Sequence, residues 1–277
     1  MTRLFGILGH PIAHSRSPAM HAAALRALRA DAQYAAFDVP PSFLRPVLRA
    51  LILAGVEGLN VTVPLKEAVL PLMDRLDASA EATGAVNTIV IRHGRTVGYN
   101  TDGIGFRRAL QELAPRLRPC HAVLLGAGGA ARAVAWELTR TPGIHLTIAN
   151  RHPARATRLV RWLAARRRSA RLCPASLRQV RLDMCDLLVN TTSVGLHAGD
   201  GCPINPAMLR RGMAVYDLIY HRETALVAAA RRRGCVAAGG DSMLLYQGAE
   251  SLRLWLHRHP PIEVMRRALH REIRSEI

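Results

Sequence analysis

HAVLLGAGGAARAVAWEL, residues 121–138, is the stretch whose reading decides the fold. Its apolar run, Ala122 to Leu125, reads as a buried strand, followed at once by a glycine turn and then by Ala133, Val134, Trp136 and Leu138 at helical spacing. Glycine at 126 permits a tight turn, and Gly128 lets backbone approach a pyrophosphate. The small residues beyond it bring helix and strand together. Glycine turns of this kind also join strands to helices where no ligand binds, so the weight of the motif comes from its context. The next strand ends where a carboxylate would take the ribose hydroxyls of NAD, and there the chain has Asn150 and Arg151, with Arg155 one turn later. Guanidiniums in place of a carboxylate favour a 2′-phosphate, hence NADP, because each charge-assisted hydrogen bond to phosphate is worth roughly 1.5–3 kcal/mol. The competing reading, that both arginines merely decorate a helix start, sets cations against the positive end of the helix dipole.

Outward from that stretch, HLTIANR (145–151), DLLVNTT (186–192) and MAVYDLIY (213–220) supply further strands, and RATRLVRWLAARRRSAR (155–171) reads as a helix with a basic solvent face. Upstream, LFGIL (4–8), a helix from Pro18 to Ala30, QYAAFDV (33–39), a helix over 42–54 and GLNVTV (58–63) alternate as in a parallel α/β layer. AVNTIVIRHGRTVGYNTDG (85–103) reads as a hairpin turning at His93-Gly94, and the strand pattern restarts after Pro119. Two helical stretches, 242–258 and 260–274, flank Pro260-Pro261.

A chain of 277 residues that is 49% hydrophobic has length for one large domain or two ordinary ones, and excludes disorder. Its five cysteines are widely spaced, with no C-x-x-C, which points to reduced thiols rather than a disulfide framework or a zinc site. The first residues hold too short an apolar run for a signal peptide, and no stretch reaches eighteen apolar residues, so the cytoplasm is the expected location. A formal charge of +18 invites a nucleic-acid reading, but the arginines are scattered and no nucleic-acid-binding motif accompanies them. None of the twelve histidines sits in an H-E-x-x-H, and His10, His14 and His21 lack ligand spacing, so no metal is expected.

Of the 38 basic side chains, 37 are arginine and one, Lys66, is lysine. Where surface cations are otherwise written as arginine, a lone lysine points to a task that arginine cannot perform. Arginine stays charged under all working conditions, whereas a lysine is compact and can release its proton. Lys66 follows GLNVTV and Pro64, which suits the beginning of a helix, so Asn60, Thr62 and Lys66 gather at the carboxyl end of a strand, where ligands collect in open α/β sheets. NTDG (100–103) supplies Asp102 as its partner, against the plainer reading of a turn residue. In GHPIAHSRSPAMH (9–21), Ser17 fits an N-cap and Pro18 the first helical position, which leaves Ser15 free. Two hydroxyls at a helix N-terminus make a seat for a small carboxylate.

Together with GAVNT (84–88), NTDGIGF (100–106), NRHPAR (150–155), NTTSVG (190–195), YDLIY (216–220) and MLLYQGA (243–249), these stretches resemble the shikimate dehydrogenase family nearly end to end and in order. The resemblance implies an α/β fold of two domains. Residues 1–102 and 240–277 would form the substrate domain, and 103–239 a Rossmann-type NADP-binding domain, with the C-terminal helices returning to the first. It implies that Ser15 and Ser17 bind the shikimate carboxylate, that Thr62, Asn87, Asp102, Tyr220 and Gln247 contact the ring substituents, and that Lys66 and Asp102 form the catalytic pair. Gly126, Ala127, Gly128, Gly129 and Ala130 would hold the pyrophosphate, and Asn150, Arg151 and Arg155 the adenosine phosphate. Leu218 and Gly240 would lie near the nicotinamide.

The implied reaction is the reversible reduction of 3-dehydroshikimate to shikimate by NADPH, in aromatic amino-acid biosynthesis, by a monomer or homodimer without nucleic-acid or membrane partners. Three departures stand out: His152 where the family commonly has Thr, Ala22 where Asn is frequent, and a loop one residue shorter between Tyr220 and Thr224, carrying Arg222. Two alternatives share the motifs in part. A quinate/shikimate or aminoshikimate dehydrogenase would tolerate other ring substituents or NAD. A non-catalytic NADP-binding sensor would keep the glycine turn without needing both Lys66 and Asp102.

Overall fold

Local chemistry fixes most of the elements, and contacts distant in sequence decide how they are arranged. A computed structural model describes residues 2–118, 121–167 and 169–275. Pro119, where the sequence places the restart of the strand pattern, lies outside the described residues, as do Cys120 and Arg168. The chain divides into two units, Met1–Gly105 with Leu245–Ile277, and Phe106–Leu244.

In the first unit the order is β1 (Arg3–Gly9), α1 (Ser17–Ala27), β2 (Ala32–Asp38), α2 (Leu44–Leu53), β3 (Val56–Val61), β4 (Arg75–Leu76), α3 (Ala78–Thr83), β5 (Thr88–Arg92), β6 (Arg95–Tyr99) and the start of α4 (Asp102–Leu113). Six strands lie in the order β2-β1-β3-β5-β6-β4. β1 runs parallel to β2 and β3, but β5 is antiparallel to both β3 and β6. The sheet is therefore mixed: its alternating part, β1 to β3, is parallel as the pattern predicts, and the hairpin brings in antiparallel strands. His93 and Gly94, at φ of 50° and 74°, form a two-residue left-handed turn that reverses the chain between β5 and β6.

Lys66 does not begin a helix, as Pro64 suggested. Its carbonyl accepts the N–H of Val86 at 2.9 Å and so is taken by the segment that leads into β5, while Leu70 N–H goes to Glu67 instead. A run of turns results, holding residue 66 just past the carboxyl end of β3.

The second unit holds β7 (His121–Leu125), α5 (Gly129–Leu138), β8 (His145–Asn150), α6 (Pro153–Ala164), β9 (Arg171–Ser176), β10 (Leu187–Asn190), β11 (Ala214–Asp217), α7 (Ala225–Arg232) and β12 (Val236–Ala238). All neighbours in its sheet, ordered β12-β11-β10-β7-β8-β9, are parallel. The order reverses between β7 and β10, the switch point at which doubly wound sheets open a crevice for ligands. The basic helix stops at Ala164, where Arg166 and Arg167 N–H groups both close on Leu163 O, and Arg171 opens a strand that the arginine run concealed.

Two last helices, α8 (Asp241–Leu256) and α9 (Ile262–Ser275), complete the first unit, with α9 packed along α1. Trp255 is fully buried there, stacked on Phe5 at 5.2 Å and donating Nε1–H to Ile89 O at 2.9 Å. A Cβ on Gly58 would collide with the Trp255 ring, so strand and helix meet only because that position is glycine.

Candidate active site

Lys66 Nζ lies 2.7 Å from Asp102 Oδ2, with Lys66 partly exposed (21% of the side chain) and Asp102 buried (7%). Asp102 is the first residue of α4, where its charge faces the positive end of the helix dipole, and its N–H is taken by Asn100 Oδ1 at 3.1 Å. The carboxylate is divided between two donors: Oδ2 to the ammonium, and Oδ1 to Asn87 Nδ2 at 2.7 Å. One amine thus reaches solvent while its counter-ion is held from behind.

Asn87 cannot turn its amide over. Its Oδ1 accepts Thr101 N–H at 2.8 Å and Thr88 Oγ1–H at 3.0 Å, which leaves Nδ2 aimed at Asp102, with Gln247 Oε1 of α8 at 3.3 Å. Behind it a buried polar cluster continues: Thr88 Oγ1 meets Ser251 Oγ at 2.8 Å, Ser251 accepts from Asn60 Nδ2 at 2.9 Å, and Asn60 Oδ1 accepts from Tyr34 O–H at 2.8 Å. Sequence reading placed Asn60 near the site but missed Thr88, Thr101, Ser251 and Tyr34. The available signal was polar side chains at positions that periodicity assigns to the core. His21, beside this cluster, is fully buried and stacked on Tyr34 at 4.4 Å; burial lowers its pKa to about 3, so the ring is neutral.

Ser17 does not take the N-cap part assigned to it, and Ser15 is not left free. α1 begins at Ser17, Arg16 occupies the N-cap position without a side-chain cap, and Ser15 Oγ lies 3.4 Å from Ser17 N. Both hydroxyl-bearing residues still sit at a helix N-terminus. Thr62 follows β3, bound through its N–H to Leu8 O at 2.8 Å, with its methyl against Gly9. The structure thus joins Lys66, Asp102, Asn87 and Gln247 by direct hydrogen bonds, and Ser15 to Ser17, without a bond from Thr62's hydroxyl among the described residues.

In the second unit, Gly126 has φ of +114°, and a Cβ there would strike the Thr191 hydroxyl, itself bound to Leu125 O at 2.6 Å. Gly128 is the N-cap of α5 and has open space where a side chain would be, with Ala127, Gly129 and Ala130 on either side. Asn150 ends β8 and accepts His152 N–H at 2.8 Å. Arg151 and Arg155 are exposed and make no ion pair among the described residues, and α6 has no acidic residue in its first turn. These features fit a dinucleotide carrying a 2′-phosphate: backbone approachable at Gly128, no competing carboxylate, and two uncommitted guanidiniums.

Leu218 and Gly240 touch, since a Cβ on Gly240 would collide with Leu218 O. Tyr220 meets His221 edge-on at 6.0 Å. Asp217, fully buried, accepts from Asn190 Nδ2 at 3.0 Å and Thr224 Oγ1 at 2.7 Å; burial pushes its carboxyl above the usual range, against those bonds. It ties the NTTSVG and YDLIY segments together at the carboxyl ends of β10 and β11. Among the described residues no cluster of His, Cys, Asp or Glu could hold a metal, and no helix is long and apolar enough to cross a membrane.

Comparison with known proteins gives a consistent picture. Residues 7–89 match the shikimate dehydrogenase substrate binding domain, and residues 242–270 the shikimate 5′-dehydrogenase C-terminal domain. A shikimate dehydrogenase (NADP(+)) of Moorella thermoacetica is 46% identical over 274 residues, covering 97% of this chain and 92% of that one. The crystal structure of shikimate 5-dehydrogenase from Thermus thermophilus, in complex with NADP(H) and shikimate, superposes with a TM-score of 0.88 at 38% identity, over 98% of this chain and 99% of that one. Quinate dehydrogenase from Corynebacterium glutamicum in complex with NAD gives a TM-score of 0.90 at 32% identity, with coverage of 98% and 99%.

Proposed function

The chain belongs to the shikimate dehydrogenase family, and from that premise we propose how its own residues carry the family's reaction, the reversible NADPH-dependent reduction of 3-dehydroshikimate to shikimate. The observation that carries the reading is the 2.7 Å contact between Lys66 Nζ and Asp102 Oδ2. The bound cofactor supplies a hydride to the C3 carbonyl carbon. Reduction leaves negative charge on the carbonyl oxygen, and Lys66 gives it a proton; in the oxidative direction the amine takes one back. Asp102 orients the ammonium through Oδ2, while Asn87, holding Oδ1, keeps the carboxylate from rotating away.

Ser15 and Ser17 bind the substrate carboxylate, and Thr62, Asn87, Asp102, Tyr220 and Gln247 contact the ring substituents. Gly126 to Ala130 receive the pyrophosphate, Asn150, Arg151 and Arg155 the 2′-phosphate end, and Leu218 and Gly240 border the nicotinamide. In this reading residues 1–102 and 240–277 serve the substrate and 103–239 the cofactor, in a cytoplasmic enzyme that works as a monomer or homodimer without nucleic-acid or membrane partners.

The test is spectrophotometric. NADP⁺ reduction with shikimate is expected, with a higher kcat/KM than for quinate, and higher with NADP⁺ than with NAD⁺. Absence of turnover with shikimate and NADP⁺ overturns the reading, and a preference for quinate with NAD⁺ moves the chain to the quinate branch.

A further inference from the structure

The amino-terminal edge of the second unit's sheet, opposite the end that carries Gly126 and Asn150, holds an arrangement the reaction does not use. His121, His145 and Arg171 open β7, β8 and β9 and lie in register across three parallel strands, so they stand side by side on one face. With neighbouring strands about 4.8 Å apart, the row spans about 10 Å. Like charges placed opposite one another across strands repel. No carboxylate stands in the row to offset this. Arg171 Nη1 donates to His145 Nε2 at 3.0 Å, so that nitrogen is bare and the imidazole neutral, and the two histidine rings lie 4.7 Å apart.

The next row on the same face is Val123, Thr147 and Cys173. Both rows line a cavity of about 290 Å³, bordered on its far side by Arg181, Asp183, Met184 and Cys185. Two carboxylates stand near it and both are engaged. Asp183 pairs with Arg181 at 2.9 Å, and Asp186 accepts the backbone N–H of His121 at 3.0 Å. Met184 on the rim is 69% exposed. The cavity therefore offers a basic wall of three groups, an apolar floor at Val123 and an apolar rim, with far more room than a bare ion fills.

We propose that this cavity binds a small organic phosphate, its phosphate group against the His121–His145–Arg171 row and its carbon body over Val123 and Met184. A dianion gives the row the counter-charge it lacks, and it lets His145 accept a proton in place of the bond from Arg171. Burial, Arg171 and His121, in that order, hold His145 below its ordinary pKa, so binding is coupled to proton uptake and tightens as pH falls. Arg181 and Asp183 are the other charged groups that border the cavity, and Asp186 stands behind it on the His121 backbone.

The experiment follows the histidine side chains by ¹H–¹⁵N NMR in the full chain saturated with NADP⁺, so that Arg151 and Arg155 are not the responding site. Signals are assigned with H121Q and H145Q. Phenyl phosphate, inorganic phosphate and benzoate are titrated at pH 6 and pH 8. Phenyl phosphate is expected to move the His145 signals toward the imidazolium form, to shift those of His121, and to bind more tightly at pH 6. It should exceed inorganic phosphate about tenfold through its apolar contact. R171A is expected to weaken it about tenfold or more, and R49A, on exposed α2, to leave it unchanged. Equal responses in R171A and R49A would reduce the effect to screening of a +18 surface and overturn the proposal. Benzoate matching phenyl phosphate, or inorganic phosphate matching it, would overturn the organic phosphate as ligand. No histidine response at millimolar phenyl phosphate would overturn the site.

Discussion

An arginine at position 66 would keep the positive charge beside Asp102 and lose the exchangeable proton. Lys66→Arg is therefore expected to lower kcat by roughly 10²–10⁴, the range for losing general acid–base help, with the thermal unfolding midpoint little changed. Asp102→Asn should fall in the same range, and the double variant should be no worse than the poorer single one, because the two act as a unit. Steady-state assays beside circular dichroism melts check all three. His21 carries a different prediction. Its folded pKa is about 3 against an ordinary 6.5, so between those values the unfolded chain binds a proton that the folded chain refuses. Stability is full above about pH 6.5 and falls toward pH 3, by up to about 1.4 kcal/mol per pH unit. His21→Phe removes that slope while leaving other acid-sensitive groups in place, as urea titrations at pH 7 and pH 4.5 would reveal. An unchanged slope would mean the ring titrates freely.

At the level of elements, the turn between β7 and α5 separates two demands on glycine. Gly126→Ala forces a Cβ into the left-handed region and against Thr191, which should cost about 1–3 kcal/mol of stability. Gly128→Ala meets open space, so its stability should hold within about 0.5 kcal/mol while NADP⁺ affinity drops. Denaturant unfolding and fluorescence titration distinguish the two. At the start of α6, replacing Arg151 and Arg155 by alanine should weaken NADP⁺ tenfold or more and leave NAD⁺ binding nearly unaltered.

This strand, turn and helix were legible in sequence because the signals that announce them, an apolar run, a glycine turn and helical spacing, are local, and the same holds for the hairpin at His93-Gly94. What escaped was set at a distance. The helix expected after Pro64 is absent because Val86 takes Lys66's carbonyl, and β9 begins on Arg171, the last residue of an arginine-rich run that reads as helix. At the candidate site, the unusual lysine and the Asx-rich turn announced Lys66 and Asp102. Ser251, Thr88 and Thr101 showed only as polar residues at core positions, with nothing local to say what they do, because their work is to fix Asn87 across a hydrogen-bonded cluster drawn from β5, α8 and the segment before α4.

Taken as a whole, the molecule contains one unit that is continuous in sequence and one that is not. Residues 106–244 bring all six strands of their own sheet, so a fragment of residues 102–244 is expected to unfold cooperatively by itself. The stretch 1–105 lacks α8 and α9, and with them Trp255, whose ring fills the space beside Gly58 and Phe5. Alone it should lack a cooperative transition, and adding a 241–275 peptide in trans should restore one. In the intact chain, Trp255→Ala should cost about 3–5 kcal/mol. That divided arrangement also imposes a timetable on synthesis. A ribosome delivers the amino-terminal sheet early, yet its keystone leaves the exit tunnel only after the whole parallel layer has been made. The middle of the chain can finish folding while its beginning still waits for the end.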